Sequence, residues 1–433
     1  MDTRIKYVHA RHLVDCKGRG LLEVDVTTVS GAVGRASAPT GTSVGSGEAF
    51  VMRDGANGRF MGTSVYKAVD IVNHIIAPAI IGLDVCDQKK VDDTLLALDG
   101  TPQKKNLGGN SIYSVSVACA LAAANAQHIP PHHYWKQHDF NYLPMPICNM
   151  FNGGQYRDVK VEIQEFGVIP YGATDMQEAV EMEIELFAEV GKLIAERQNG
   201  QPAGIANYFG HMPISNDPGV LFDIIAEAAD RRGYTNKVCY SMDCAASEFY
   251  NEKTKTYSYM GKDIDADELV GRIKEITDRH PFYFVEDILE DNDFEGFAKA
   301  AKLMPNIRMV GDDLICTSVD RLKHALDLGS VDGMIFKPNQ VGTVSQCFET
   351  YKYANEHNVI VIPSVRAGGT IDDPVKDMAI AVSAPFCKCG APRSGERMSF
   401  LNTLMRAADE FPQARFQPIF HLERAIKTQN RTF

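Results

Sequence analysis

The stretch Gly333-Met-Ile-Phe-Lys337-Pro-Asn-Gln-Val-Gly342 carries a short apolar run into a lysine and then at once into a Pro-Asn turn, which reads as a strand tip bearing one amine. A lysine at a strand end is ordinarily a solvated surface group. Three other apolar runs change that reading, because each ends in acids: Val238-Cys-Tyr-Ser-Met-Asp243, Phe282-Tyr-Phe-Val-Glu286-Asp287 and Ile307-Arg-Met-Val-Gly-Asp312-Asp313. Four strands that finish in one lysine and three sets of carboxylates predict a single polar site at one end of a parallel barrel.

A chain of 433 residues with 45% apolar content has room for two domains and can bury a sizeable core. Its formal charge of −12, with no basic cluster, argues against nucleic acid as a partner. No run of eighteen apolar residues exists, and Met1-Asp-Thr-Arg-Ile-Lys6 lacks the apolar heart of a secretory signal, so a cytoplasmic protein with no membrane partner is expected. The ten cysteines are scattered. The one tight pair, Cys387 and Cys389, has no zinc-type partners at ligand spacing, and reduced thiols are expected.

Leu22, Val24 and Val26 alternate with Glu23, Asp25 and Thr27, the period of a half-buried strand, and Ser30-Gly31 turns the chain into Val33-Gly-Arg-Ala-Ser37. The opening is predicted to be an antiparallel meander. Ala38 to Glu48 is too rich in Gly, Ser and Thr for a regular element and reads as a mobile lid; it lacks the Gly-Lys-Ser/Thr ending of a phosphate-binding P-loop. Helical spacing follows in Ser64 to Ile76, Asp87 to Leu98 and Asn110 to Gln127, with Asn110 as the expected cap. His128-Ile-Pro-Pro-His-His-Tyr-Trp135 breaks the periodicity, which places a boundary between an N-terminal α+β domain, 1–138, and a barrel domain, 139–433. His132 and His133 are adjacent in that turn; neighbours there should point apart, no third ligand is close in sequence, and both are expected at the surface. From Leu143 on, strand and helix patterns alternate through to a closing helix from Glu396 to Glu410, as a β/α barrel with one mildly irregular end requires.

These motifs together resemble the enolase family, phosphopyruvate hydratase, over nearly the whole length. Leu13-Val-Asp-Cys-Lys-Gly-Arg19 is similar to the family's opening segment, and Pro39-Thr-Gly-Thr-Ser43-Val-Gly45 to its lid. Met150-Phe-Asn-Gly-Gly154, Ile163-Gln-Glu-Phe166, Met242-Asp-Cys-Ala-Ala-Ser-Glu-Phe249, Gly311-Asp-Asp-Leu314 and Gly390-Ala-Pro392 with Glu396-Arg397 continue the likeness. The resemblance implies an enolase-type TIM-like barrel preceded by a smaller α+β domain, and a homodimer. It also implies roles: Asp243, Glu286 and Asp312 would hold a tight Mg2+ ion, and Ser43 would join a second one that arrives with substrate. Lys337 would be the base that removes the proton beside the substrate carboxylate, Lys388 would support that carboxylate, and cation repulsion near the metal would keep Lys337 partly deprotonated. Arg366 would grip a phosphoryl group, with Gln164 and Glu165 beside the substrate.

The pattern fails in three places. The family's Gly-Asp-Glu-Gly-Gly loop, whose carboxyl helps hydroxide to leave, corresponds to Asn207-Tyr-Phe-Gly-His-Met-Pro213, with Phe209 read at the acid's place. The histidine of Asn-Gly-Gly-Ser-His is replaced in Asn152-Gly-Gly-Gln-Tyr156-Arg157, and Ser-His-Arg-Ser becomes Ser364-Val365-Arg366-Ala367. Tyr156 and His211 are therefore candidate replacement site residues. The metal and enolate side is intact while the leaving-group side is rebuilt, which favours an enzyme that forms a metal-bound enolate of a small phosphorylated or phosphonate carboxylic acid and finishes the reaction differently, as carboxyphosphonoenolpyruvate synthases do. Ordinary dehydration of 2-phosphoglycerate with Glu165 as the acid, and a non-catalytic binding or structural protein, are the alternatives.

Overall fold

The computed structural model describes residues 1–41, 44–156 and 159–417, with the side chains of Gln155 and Tyr156 outside it. Strands β1 (Ile5–Val14), β2 (Gly20–Thr28) and β3 (Val33–Ser37) form the expected antiparallel meander; β1 is an addition to the sequence reading. Glu23 and Asp25 do not face water as the alternation suggested, because Arg11 and Arg35 lie across them as ion pairs. Helices α1 (Gln88–Asp99) and α2 (Gly109–Ala126) follow, and α2 covers the sheet so closely that a Cβ on Gly34 would stand 2.0 Å from the Ala118 carbonyl oxygen. Asn110 does not cap α2. It sits inside the first turn and exchanges hydrogen bonds with the Met52 backbone, at 2.9 and 3.1 Å, while Gly108 with φ +88° begins the helix. A short α3 (Pro131–Tyr134) then leads to the barrel.

The barrel strands are β4 (Met145–Tyr156), β5 (Val159–Ile169), β6 (Cys239–Asp243), β7 (Phe282–Glu286), β8 (Arg308–Gly311), β9 (Gly333–Phe336), β10 (Ile360–Pro363) and β11 (Phe386–Gly390). They lie in the order β10-β9-β8-β7-β6-β5-β4-β11, and a bridge between Ser364 and Lys388 brings the two ends together. The barrel is not wholly parallel, because β5 runs antiparallel to both β4 and β6. Only two residues separate β4 from β5, and a parallel pair needs a crossover of about a dozen or more. Helices α4 (Met176–Arg197), α5 (Pro218–Arg231), α6 (Ala266–Thr277), α7 (Phe294–Leu303), α8 (Val319–Leu328), α9 (Val344–Glu356), α10 (Val375–Ala381) and α11 (Gly395–Glu410) lie along the strands. Four of them open on an aspartate whose carboxylate accepts a backbone N–H of the first turn: Asp175, Asp217, Asp265 and Asp293.

Barrel strands buried on both faces must fill their own interior, and a layer of Met145, Ile147, Ile169, Cys239, Phe284, Val310, Ile335, Ile362 and Phe386 does so. Side chains on one face of a strand repeat every two residues. Counting by twos from that layer therefore gives Asp243 from Cys239, Glu286 from Phe284, Asp312 from Val310, Lys337 from Ile335, Ser364 from Ile362 and Lys388 from Phe386. On the reversed strand the count from Ile169 runs backwards to Gly167 and Glu165. One arithmetic step places all of these side chains together above the apolar plug.

Candidate active site

Lys388 is the centre of the cluster. Its Nζ lies 2.6 Å from Glu286 Oε2, 2.8 Å from Glu165 Oε2 and 3.3 Å from Asp243 Oδ2. The strand registers Glu165 with Asp243 and Asp243 with Glu286 explain why these groups meet. Lys337 Nζ donates to Asp312 Oδ2, and Gln340 Nε2 donates to Asp312 Oδ1 at 2.8 Å. Burial works against charge at every member of the set. It pushes Asp243 and Glu286 up, reinforced at Asp243 by Glu165 and at Glu286 by Asp243. Burial opposes the Lys337 ammonium too, but the Asp312 carboxylate outweighs it and holds that amine above its ordinary value. The expected partial deprotonation of Lys337 is thus not a property of the protein side chains by themselves.

Whether a hard divalent cation fits can be judged from the donors. Asp243, Glu286 and Asp312 are 6%, 0% and 4% exposed, and Glu286 Oε1 is buried with no hydrogen-bond partner among the described residues. Three buried carboxylates on neighbouring strands, one with an unused oxygen, are an oxygen donor set of the type that binds Mg2+. Asp287, behind them, is turned away from this role: it accepts the backbone N–H groups of Asp312 at 2.9 Å and Asp313 at 2.7 Å and so fixes the loop that carries Asp312.

The cleft above the cluster is bordered by Gln164, Glu165, Lys337, Arg366 and Lys388, and by Tyr208 and Arg397. Arg366 is 4% exposed and makes a two-pronged pair with Glu48 of the lid segment, at 2.9 and 3.1 Å. Val365 and Ala367 border the same wall without polar side chains. Ser43 lies outside the described residues, as does the side chain of Tyr156, which ends β4.

Two expectations are corrected. Phe209 does not face the cleft. Its backbone has φ +69°, the left-handed region that glycine favours, and this carries the ring onto the Arg397 guanidinium at 4.8 Å. If Phe209 holds the first glycine after the acid of the Gly-Asp-Glu-Gly-Gly loop, the acid's place falls to Tyr208, which borders the cleft with the Lys17 ammonium 4.4 Å from its ring centroid. His211 is not a site residue either. Its Nε2 donates to the Phe187 carbonyl at 2.8 Å, its ring stacks on Phe187 at 4.0 Å, and burial lowers its pKa to about 4, so it is a neutral core histidine. Its neighbour Gly210 donates its backbone N–H to Asn152 Oδ1 at 2.8 Å, which ties the loop to β4.

The sequence reading missed Tyr208, Arg397, Glu48 and Gln340. The glycine pattern of the acid loop could have found Tyr208, since setting the loop's last Gly on Gly210 puts its acid on Tyr208 without a gap. Arg397 is held against Gly390, where a Cβ would stand 2.1 Å from its Nε; the Gly390-Ala-Pro392 and Glu396-Arg397 motifs put it in view, but its side chain was assigned no place at the site.

The β/α barrel gathers four carboxylates, two amines and a buried arginine at one mouth, the arrangement of an enolase-like lyase. The chain belongs to the enolase family: the family model of the enolase N-terminal domain matches residues 5–135, and that of the enolase C-terminal TIM barrel domain matches residues 140–420. Proteins named enolase from Methanococcus aeolicus and Rubrobacter xylanophilus are each 36% identical to it, over 403 and 419 residues. These alignments span 93% of this chain and 94% of the first relative, and 96% and 97% for the second. A Methanococcus vannielii enolase is 34% identical over 409 residues.

Proposed function

We propose that the chain is a Mg2+-dependent dehydratase that converts 2-phosphoglycerate to phosphoenolpyruvate. The observation that carries this is the convergence of Lys337 and Lys388 on Asp243, Glu286 and Asp312 with Arg366 across the cleft. The relatives named enolase support it over the rebuilt chemistry read from the sequence. Asp243, Glu286 and Asp312 would hold the magnesium ion, which when bound supplies the positive charge that makes a carboxylate α-proton removable.

The chain's own groups then divide the work. Lys337 accepts the α-proton at Nζ in its neutral form, reached by giving up its own proton to solvent once its contact with Asp312 gives way. Lys388 stays an ammonium, since Glu165, Glu286 and Asp243 raise it well above an ordinary lysine against the burial that would lower it, and it stabilises the charge that develops on the substrate carboxylate. Arg366 holds the phosphoryl group in a bidentate fork, with Gln164 along the same wall. Glu165 is held ionised: burial opposes its charge, but Lys388 outweighs it. It therefore has no proton to give, and the acid that meets the departing hydroxide is the Tyr208 phenol. A cytoplasmic homodimer and the division at residue 138 complete this reading, supported by the family likeness.

A second reading keeps one specific observation in its favour: an aromatic ring at the acid's place, with Val365 and Ala367 alongside, suits a bulkier or phosphonate substrate whose enolate is used otherwise. Assay of the purified protein with Mg2+ and 2-phosphoglycerate separates the two. The first expects phosphoenolpyruvate to accumulate. Exchange of the α-proton with deuterated water without phosphoenolpyruvate would leave the second.

A further inference from the structure

Away from the barrel mouth, two histidines on the segment that enters the barrel converge on the end of the last helix. His133 Nε2 on α3 lies 2.7 Å from Glu410 Oε1, and His132 Nε2 lies 3.2 Å from Glu410 Oε2. On its other edge His132 Nδ1 stands 3.2 Å from Asp377 Oδ1 in the first turn of α10. The two rings are 4.9 Å apart, and Phe140 and Phe411 pack against both. The expectation that these neighbours point apart with no third ligand is thus overturned. One ligand atom each from His132, His133 and Glu410 lies within 4.8 Å of the other two.

Neutral rings cannot close this arrangement by hydrogen bonds. His132 meets a carboxylate oxygen at both nitrogens, yet a neutral imidazole has one N–H, so one contact would set a lone pair against an anion. Either a second proton or a metal cation is required between the ring and its partner. With Nδ1–H donated to Asp377, the lone pair of Nε2 points towards Glu410, which is how a carboxylate behind a histidine orients it for a metal. His133 brings a second nitrogen to the same carboxylate. Two imidazoles and a carboxylate suit zinc and its neighbours far better than magnesium. His132 is 8% exposed, whereas the side chains of His133 and Glu410 are 35% and 40% exposed, which leaves an entry path and space for water as a further ligand.

We propose that His132, His133 and Glu410 bind one divalent transition cation of the zinc class, with Asp377 fixing His132 from behind. The ion ties α3, the entry to the barrel, to the C-terminal end of α11, and it is independent of the catalytic magnesium.

The test counts zinc in the full-length protein, by equilibrium dialysis in millimolar Mg2+, for the wild type, His133→Ala and Glu410→Gln. Both substituted side chains are partly exposed, so the variants fold. The wild type should hold one more tightly bound Zn2+ than either variant, and zinc should raise its melting temperature by at least ~2 °C while leaving theirs unmoved. Cobalt in place of zinc should give the wild type alone an intense tetrahedral-type visible band. Turnover with Mg2+ should be the same in all three. Equal zinc stoichiometry in the three proteins, or a melting temperature that ignores zinc in the wild type, would overturn the site and leave an imidazolium held between two carboxylates.

Discussion

Arg366 and Glu48 form a two-pronged ion pair at 2.9 and 3.1 Å with both side chains 3% exposed, so the group that would grip a phosphoryl oxygen is already held by an acid of the lid. Gln340 Nε2 and the Gly45 backbone N–H also donate to that carboxylate, at 3.3 and 3.2 Å. An anionic substrate must compete with Glu48 for Arg366.

Glu48→Gln should expose that competition. Removing one partner of a buried pair typically costs about 3–5 kcal/mol, because the other charge is left uncompensated. The variant should melt lower than wild type without ligand, and inorganic phosphate should recover more melting temperature in the variant than in the wild type. Equal phosphate-induced shifts would show that Arg366 does not receive the anion.

Lys337→Ala should reduce exchange of the 2-phosphoglycerate α-proton with deuterated water by at least ~10²-fold, the usual scale of a general base. The lysine side chain is only 11% exposed and pairs with Asp312, so truncation also removes one of the two amines that balance the buried acids. Without metal the variant should therefore melt below wild type, and Mg2+ should narrow the gap. Wild-type exchange rates in the variant would remove Lys337 from the mechanism.

Asp243, Glu286, Asp312 and Lys337 were legible because each closes an apolar run at the strand period, and that period carries them to one face. Lys388 has the same property on β11. Gln164, Glu165 and Arg366 came from the family likeness rather than from a period, and Tyr208, Arg397, Glu48 and Gln340 were missed for physical reasons. Met145–Tyr156 is a strand interrupted by Asn149, Asn152, Gly153 and Gly154, so its apolar pattern is broken where it pairs with β5. Tyr208 and Glu48 come from irregular segments, where no period fixes the register and a one-residue shift exchanges Tyr208 for Phe209. His132 and His133 looked divergent because a local turn was considered without α11, whose Glu410 reaches both.

Asp373 gives a pH signature outside the carboxylate cluster at the barrel mouth. Its carboxyl is 6% exposed, accepts the Val375 N–H at 3.1 Å, and burial pushes its pKa up to about 6. An unfolded aspartate titrates near 3.9. Between roughly pH 4 and pH 6 the folded state therefore holds the extra proton, and stability falls as pH rises through that window, then levels. Asp373→Asn keeps an acceptor for Val375 and never charges. It should be more stable than wild type above pH 6, by up to roughly 3 kcal/mol, with the advantage shrinking towards pH 4. Melting curves of both proteins across that range check the sign; a gap independent of pH would place the Asp373 proton elsewhere.

In the proposed dehydration, the position of Tyr208 would decide how hydroxide leaves. A hydroxide expelled from an enolate needs a proton; Tyr208 borders the cleft and its phenol would supply one in the proposed reaction, whereas Phe209 lies under Arg397 with nothing to give. Tyr208→Phe keeps the ring beside Lys17 and deletes the donor, so phosphoenolpyruvate formation should fall by at least ~10²-fold while α-proton exchange at Lys337 continues. Tyr208→Glu restores a carboxyl at the loop position and should retain or raise turnover. Phe209→Glu should not substitute for it: the carboxylate would pair with the Arg397 guanidinium, and a non-glycine residue at φ +69° gains nothing by the change. Full turnover in Tyr208→Phe would move the acid role back to Glu165. Gain of turnover in Phe209→Glu but not in Tyr208→Glu would show that the loop adopts the other register when substrate is bound.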